Sequence, residues 1–297
     1  MEKVAYGGWK NNIKMANSKI ELIVTMDVGP RIIRFGRRGG KNVFAEMKEQ
    51  MGGVGEQEWM IRGGHRLWLA PEVKPMTYEL DNDPVQAEEI EGGVRVIQEK
   101  GKLSSVQKIM EITFGEEEND VKIVHILKNE GEKAIECAPW ALTAMAKKGM
   151  LVIPLPEKIP HTKCLTHNQE WSIWAYTDFS DSRWTFGSRY IFFRQDPKKG
   201  PNKLGIAHKM GWVAYVCGDD LFIKRFEWQE GKKYPDGGVN LETFSNQDFL
   251  EIESLGPIVV LKPGMKVQHV EKWQLFAIKK RIKTEKDVDK YILPLLK

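Results

Sequence analysis

The chain has 297 residues, of which 41% are hydrophobic and 29% charged, and its formal net charge at neutral pH is +4. This composition allows a large hydrophobic core and excludes a disordered chain. Lys/Arg and Asp/Glu are interspersed, which excludes the basic stripe of a nucleic-acid binder, and no apolar run reaches the roughly 20 residues that would cross a membrane.

The cysteines and the start of the chain indicate the compartment. Cys137, Cys164 and Cys217 are far apart, and none has the spacing of a zinc site. An odd number of cysteines is typical of a reducing environment, and the first residues contain no apolar segment of a signal peptide. We therefore expect a cytoplasmic protein.

Short strands separated by glycine turns account for most of the sequence. Residues 171–177 fit either a turn of helix or a strand. The predicted strands are 20–28, 31–35, 42–44, 94–97, 106–114, 121–127, the segment from 135 onward, 151–156, 189–194, 211–217, 221–228, 243–252, 258–261 and 272–278. Strands joined by short turns, without helices between them, are typical of antiparallel sheets. The fold class expected is all-β, a large antiparallel β-sandwich formed by residues 1–297 as a single domain, with two small β domains as the alternative.

The end of the sequence does not follow this pattern of short strands and turns. Thr284 followed by Asp287 resembles a capping box, and Val288, Tyr291 and Ile292 fall on one helical face. We expect a short C-terminal helix that packs on the outside of the sandwich.

The stretch 59–72 carries the strongest chemical signal. It combines cationic, acidic, imidazole and indole side chains beside two glycines that permit a positive φ: Trp59, Arg62, Gly63, Gly64, His65, Arg66, Trp68 and Glu72. A sugar site needs donors and acceptors for hydroxyls and flat apolar faces for the ring. The alternative is a Gly-Gly turn with a capped histidine and two exposed arginines.

A second signal lies at residues 249–254. On a strand, Leu250 and Ile252 would point to one side, and Glu251 and Glu253 to the other. The polar residues ahead of them include Glu242, and acid–base chemistry needs a carboxylate. The simpler alternative is that both glutamates lie on a solvated face.

Several other residues have a plain structural interpretation. Trp140 suits core packing as well as ligand stacking, His125 alternates with apolar neighbours like a structural histidine, and Lys224 fits a surface lysine. His269 and Glu271 are placed so that they could pair. No motif of a serine or cysteine nucleophile or of a phosphate-binding loop is present in the sequence.

Four segments of the sequence, in their order along the chain, resemble the galactose mutarotase-like supersandwich. This is the group of aldose 1-epimerases and hexose-6-phosphate mutarotases, and the sequence resembles a bacterial branch of it in particular. The four segments are residues 20–35 with Gly29-Pro30-Arg31-Ile32, Arg62-Gly63-Gly64 followed by Trp68, residues 127–131, and residues 250–254 followed by 261–264. The resemblance spans nearly the whole chain and implies a supersandwich fold.

The resemblance also implies site roles. Glu253 would be the catalytic base, because Ser254 follows it where relatives often have threonine, and Glu251 is the fallback. Arg62 would orient sugar hydroxyls. Typical epimerases carry a histidine after the central turn, but residues 138–143 contain none, so His65 is the only substitute as general acid.

The remaining site residues follow from the same reading. Arg66 would hold hydroxyls or an acidic substituent, and Trp68 and Trp140 would lie against the sugar ring. Glu72, Glu242 and Glu251 complete the expected binding set. This chemistry requires no metal and no organic cofactor.

Three functions are consistent with these residues: an isomerase acting at the anomeric carbon, a carbohydrate-binding or sensor protein without turnover, and a hydrolase or lyase acting on glycans. The expected partner is a small sugar or an oligosaccharide, with no nucleic acid and no membrane, and the sequence leaves the oligomeric state open.

Overall fold

A computed structural model describes residues 1–296 and contains two large antiparallel sheets. The strands in chain order are β1 (Glu2–Tyr6), β2 (Trp9–Ala16), β3 (Ile20–Thr25), β4 (Arg31–Arg37), β5 (Gly64–Ala70), β6 (Gln86–Ile90), β7 (Gly93–Ile97), β8 (Val106–Phe114), β9 (Asp120–Asn129), β10 (Ile135–Met145), β11 (Met150–Pro154), β12 (Trp171–Ile173), β13 (Trp184–Phe186), β14 (Tyr190–Arg194), β15 (Asn202–Ile206), β16 (Trp212–Cys217), β17 (Asp220–Phe226), β18 (Leu241–Ser245), β19 (Leu250–Leu255), β20 (Val259–Leu261) and β21 (Lys266–Ala277). The all-β sandwich predicted from the sequence is confirmed.

The strand order joins distant parts of the chain. The first sheet runs β1-β2-β3-β4-β5-β10-β19-β18-β15-β12, with β20 pairing with β10 beyond the end of β19. The second sheet runs β13-β14-β11-β16-β17-β21-β9-β8-β7-β6. The middle of the first sheet therefore places β5, from the early part of the chain, two strands from β19, from its late part.

Alternating apolar residues form the core between the sheets. Leu250 and Ile252 of β19 are fully buried in it, and Phe222 and Trp273 face them from the second sheet. Glu251 and Glu253 lie on the other side of β19, so the alternation expected there is confirmed.

A short helix covers part of the second sheet. The helix α1 (Glu285–Tyr291) begins with the predicted capping box, in which Thr284 and Asp287 bond each other's backbone amides. Val288 and Ile292 pack with residues of β11, β16 and β17 on the outer face of that sheet. No helix within residues 1–296 has the length and apolar character needed to cross a membrane.

The secondary structure differs from the prediction in two places. Residues 243–252 were expected as one strand, but the chain turns at Asn246, whose side-chain oxygen accepts the amide of Asp248 at 2.8 Å, and so forms β18 and β19. Residues 64–70, which were assigned to no predicted strand, form the central strand β5.

The two glycines before β5 do adopt positive φ, 91° at Gly63 and 70° at Gly64. A Cβ atom at Gly63 would lie 2.0 Å from the backbone oxygen of Ala45, and one at Gly64 would lie 2.4 Å from that of Ile32. The close approach that these glycines permit is therefore to neighbouring backbone, and not to a ligand as we expected.

Candidate functional site

The register of the first sheet brings the two predicted segments together. Arg66 on β5 is paired with Leu142 on β10, Leu142 with Glu253 on β19, and Glu253 with Glu242 on β18. These residues occupy one row across four neighbouring strands, on the face that points away from the second sheet. The early glycine-rich segment and the late acidic strand thus contribute to one surface.

A cavity of about 510 Å³ lies on this outer face, and we call it the outer-face cavity. Its walls combine aromatic rings with carboxylates and two cations. The lining residues are Met47, Glu49, Gln50, Trp59, Ile61, Arg66, Trp68, Glu72, Tyr78, Trp140, Leu142, Tyr176, Lys203, Phe244, Asn246, Asp248, Phe249, Glu251 and Glu253. This volume is within the range of small-molecule sites.

Glu253 lies at the base of the cavity with only 1% of its surface exposed. Its Oε2 accepts from Trp140 Nε1 at 3.0 Å and from Lys203 Nζ at 3.3 Å. Its Oε1 is buried and has no hydrogen-bond partner. Burial raises the pKa of Glu253, and the nearby Lys203 ammonium opposes that shift. One oxygen is therefore held in place while the other has no partner within the described protein.

Lys203 connects Glu253 to a second buried carboxyl. Its Nζ lies 2.6 Å from Glu242 Oε2 and is 4.5 Å from the ring centre of Trp174 and 5.0 Å from that of Trp140. Burial alone would lower the pKa of Lys203, but the carboxylates of Glu253 and Glu242 raise it, so the group is an ammonium. Burial also raises the pKa of Glu242 well above its usual value, and the Lys203 ammonium opposes that shift.

Arg66 occupies the opposite wall. Its Nη1 bonds Glu251 Oε1 at 2.8 Å, and its guanidinium stacks 4.5 Å from the ring centre of Trp68 and 5.3 Å from that of Trp59. Both members of this ion pair are almost fully buried. The charge of Arg66 is thus already neutralised by the protein.

Glu72 lies at the exposed rim, where it accepts a hydrogen bond from the Tyr78 hydroxyl. Burial and this carboxylate raise the pKa of Tyr78. Tyr78 packs edge-on to Trp59 and tilted against Trp68, so the rim joins the aromatic wall.

Arg62 does not line the cavity. The chain turns at Arg62, which has a φ of 51°, and its buried guanidinium points into the loop before β5. There it donates to the backbone oxygen of Gln50 at 2.8 Å and to Asn82 Oδ1 at 2.9 Å, and pairs with Glu56. These contacts hold the loop together, and they correct the expectation that Arg62 orients sugar hydroxyls.

His65 does not face the cavity either. Side chains alternate along β5, so Arg66 and Trp68 point to the cavity while His65 and Leu67 point into the sandwich. His65 is fully buried there, with Nδ1 2.9 Å from Thr143 Oγ1. The expectation that His65 protonates a sugar ring oxygen is corrected for this geometric reason.

The histidine belongs to a buried network between the sheets. His125 Nδ1 donates to the backbone oxygen of His269 at 3.0 Å, so its Nε2 accepts from His65 Nε2 at 2.6 Å. The Thr143 hydroxyl then donates to His65 Nδ1. Burial lowers the pKa of His65 well below its usual value, lowers that of His125, and lowers that of His269 to about 3. Burial therefore favours the neutral form of all three imidazoles.

Glu271 and Lys224 complete this network. Glu271 pairs with Lys224 at 2.7 Å and accepts from Ser254 at 2.5 Å and from Trp273 Nε1 at 2.7 Å. His269, predicted as a possible partner of Glu271, is hydrogen-bonded to Ser254, which in turn donates to Glu271. Lys224 is fully buried, so its prediction as a surface lysine was wrong.

The same network contains the one group of possible metal ligands within residues 1–296. Ligand atoms of His65, His125 and Glu271 lie within 4.8 Å of one another. All three side chains already bond protein partners, so a metal ion could be held here only after those bonds were broken.

Sequence reasoning missed Lys203. It was assigned to none of the predicted strands, whereas residues 202–206 form β15. The usable signal was the alternation of Lys203 and Gly205 with the apolar Leu204 and Ile206, which is typical of a strand with one polar face.

Comparisons with known proteins show the fold. No family model matches the sequence, and no curated protein matches it either. A galactose mutarotase-like protein from Lactobacillus casei has a TM-score of 0.60 at 10% identity, over 90% of this chain and 100% of that one. A galactose mutarotase related enzyme from Lactobacillus acidophilus has a TM-score of 0.53 at 9% identity, over 92% and 100%. A protein from Synechocystis has a TM-score of 0.59 at 9% identity, over 93% and 100%.

This likeness defines a class of architecture, a sandwich of two large antiparallel sheets. The particular fold is the galactose mutarotase-like supersandwich, as the sequence resemblance predicted. At such low identity the likeness establishes the fold alone, and function must be argued from the cavity.

Proposed function

We propose that the protein binds a carbohydrate in the outer-face cavity and acts on its anomeric centre in the manner of an aldose 1-epimerase. The observation that carries this proposal is the Glu253 carboxylate, whose Oε2 is fixed by Trp140 and Lys203 while the buried Oε1 has no partner. A carboxylate held in this way has one oxygen left over to accept a hydroxyl proton from a ligand.

The proposed reaction is a ring opening. Glu253 Oε1 takes the proton of the anomeric hydroxyl. The electrons of that O–H bond form the C1 carbonyl, and the bond from C1 to the ring oxygen breaks. The ring oxygen takes a proton, and the aldehyde group rotates about the C1–C2 bond. The reverse steps then close the ring. Acid–base groups of this kind contribute about 10²–10⁴-fold each. Trp68 and Trp140 would contact the apolar face of the ring, and the Arg66–Glu251 pair would bond its hydroxyls.

None of the described lining residues is a histidine, so no imidazole of the cavity is available to protonate the ring oxygen. The protonated groups available are Tyr78, Tyr176 and Lys203, and the pKa of each is raised. All three give up a proton reluctantly at neutral pH. This favours a second candidate function, carbohydrate binding without turnover.

One experiment separates the two candidates. Anomer interconversion is followed by NMR for a series of aldoses, with the wild type and Glu253→Gln compared at equal concentration. An isomerase accelerates the exchange and Glu253→Gln abolishes the acceleration, whereas a binding protein shows ligand-induced thermal stabilisation with no acceleration. Equal acceleration by both forms would remove Glu253 from the proposed reaction.

A further inference from the structure

The charges of the outer-face cavity are strongly unbalanced. Its lining contains two cations, Arg66 and Lys203. It contains five carboxylates: Glu49, Glu72, Asp248, Glu251 and Glu253. A phosphorylated or carboxylated sugar needs a free cation to offset the cost of desolvating its charge.

Neither cation is free. Arg66 is neutralised by Glu251 at 2.8 Å and covered by the rings of Trp59 and Trp68. Lys203 is shared between two carboxyls, Glu242 at 2.6 Å and Glu253 at 3.3 Å. An anionic substituent would have to displace a buried carboxylate from one of them.

The lysines near the rim do not change the excess of carboxylates over free cations in the cavity. Lys74 lies 5.2 Å from the ring centre of Tyr78 but does not line the cavity. Lys147 is paired with Asp248 at 2.9 Å and does not line it either. Glu49 and Glu72 form none of the ion pairs that the described residues contain.

The aromatic wall suits a cation as well. Seven aromatic rings line the cavity, those of Trp59, Trp68, Trp140, Tyr78, Tyr176, Phe244 and Phe249. Ring faces attract positive charge, and both buried cations of the cavity already lie over indoles in this way. Glu72 lies next to this wall, where it accepts a hydrogen bond from the Tyr78 hydroxyl.

We propose that the ligand of this cavity is a sugar that carries a protonated amino group, and that the cavity discriminates against phosphorylated and carboxylated sugars. The ammonium would bond Glu72 and contact the aromatic rim, while the hydroxyls would be bonded by Glu253 and the Arg66–Glu251 pair. This inference rests on the proposed carbohydrate site and deepens it. It also replaces the expectation that Arg66 holds an acidic substituent.

The test is a matched panel of ligands measured by calorimetry near pH 7. The panel contains glucosamine, glucose, N-acetylglucosamine, glucose 6-phosphate and glucuronate, with galactosamine and galactose as a second pair. We expect each amino sugar to bind at least about tenfold more tightly than its hydroxyl parent, the effect of one close charge pair. We expect the two anionic sugars to bind more weakly than glucose.

Charge variants make the test specific. Glu72→Gln should reduce the ratio of amino-sugar to parent-sugar affinity towards one, while Glu116→Gln, in an acidic loop that does not line the cavity, should leave this ratio unchanged. Equal affinity for glucosamine and glucose, or tighter binding of either anionic sugar, would overturn the inference and leave the carbohydrate site intact. Binding of no sugar in the panel would overturn the proposed function together with it.

Discussion

The ammonium of Lys203 lies 3.3 Å from Oε2 of Glu253, and both groups are buried at the base of the outer-face cavity. Because Glu242 shares the same ammonium at 2.6 Å, one positive charge balances two carboxyls. The site therefore depends on a lysine that sequence reasoning did not identify.

Removal of this ammonium should destabilise the fold. Lys203→Met leaves Glu242 and Glu253 buried without a cation, a change that typically costs about 3–5 kcal/mol in the free energy of unfolding. Chemical denaturation at neutral pH measures it. Lys147→Met is the matched control, because its pair with Asp248 is exposed and should contribute at most about 1 kcal/mol. Equal losses in the two variants would contradict the assigned role of Lys203.

The indole of Trp140 should control the titration of Glu253. Trp140→Phe keeps an aromatic ring but removes the N–H that bonds Oε2, so the pKa of Glu253 should rise further. The pH profile of sugar binding or anomer exchange should move to higher pH. Trp68→Phe removes an indole N–H that has no partner, and it should leave the position of the profile unchanged. A shift of equal size in both variants would contradict this account.

The buried histidines should make the fold sensitive to acid. In the unfolded chain each imidazole takes up a proton near its ordinary pKa of about 6.5, whereas burial lowers the pKa of His65, His125 and His269 in the folded protein. Below that pH the unfolded chain binds more protons, so the free energy of unfolding should fall as the pH decreases. Each histidine contributes at most about 1.4 kcal/mol per pH unit.

Denaturation curves at pH 7.5, 6.0 and 5.0 measure this dependence. His161→Gln, in a loop with an exposed side chain, serves as the control and should keep the slope of the wild type. A free energy of unfolding that stays constant or rises between pH 7.5 and 5.0 would contradict a dominant contribution from these imidazoles, since the raised pKa values of Glu242 and Glu253 act in the opposite direction.

The glycine before β5 should not tolerate a side chain. Gly63→Ala places a Cβ 2.0 Å from the oxygen of Ala45 at a φ of 91°, whereas Gly39→Ala has a φ of 68° with open space around it. Both variants bear the strain of a positive φ, and only the first adds a clash with backbone. We expect Gly63→Ala to lower the free energy of unfolding by at least about 2 kcal/mol more than Gly39→Ala. Similar losses would contradict the close packing of β5 against the loop.

Local patterns predicted much of the fold. The alternation of Leu250, Glu251, Ile252 and Glu253 correctly gave the two faces of β19, and Thr284 with Asp287 correctly marked the start of α1. These patterns are local, because a strand's period and a helix cap involve only neighbouring residues.

The site was harder to predict, because side-chain direction depends on register. Arg66 and His65 are adjacent, yet one lines the cavity and the other lies between the sheets. A segment rich in polar residues does not show which of them share a face until its strand is recognised. Arg62 precedes the strand and is turned away by its positive φ, and Lys203 was missed because β15 was not predicted as a strand.

The most direct measurement is a crystal structure of the protein soaked with glucosamine and, separately, with glucose. We predict that a sugar occupies the outer-face cavity with a hydroxyl within hydrogen-bond distance of Glu253 Oε1 and its ring against Trp68 or Trp140. A sugar bound elsewhere, or an empty cavity in crystals of a protein that binds the sugar in solution, would contradict the central claim.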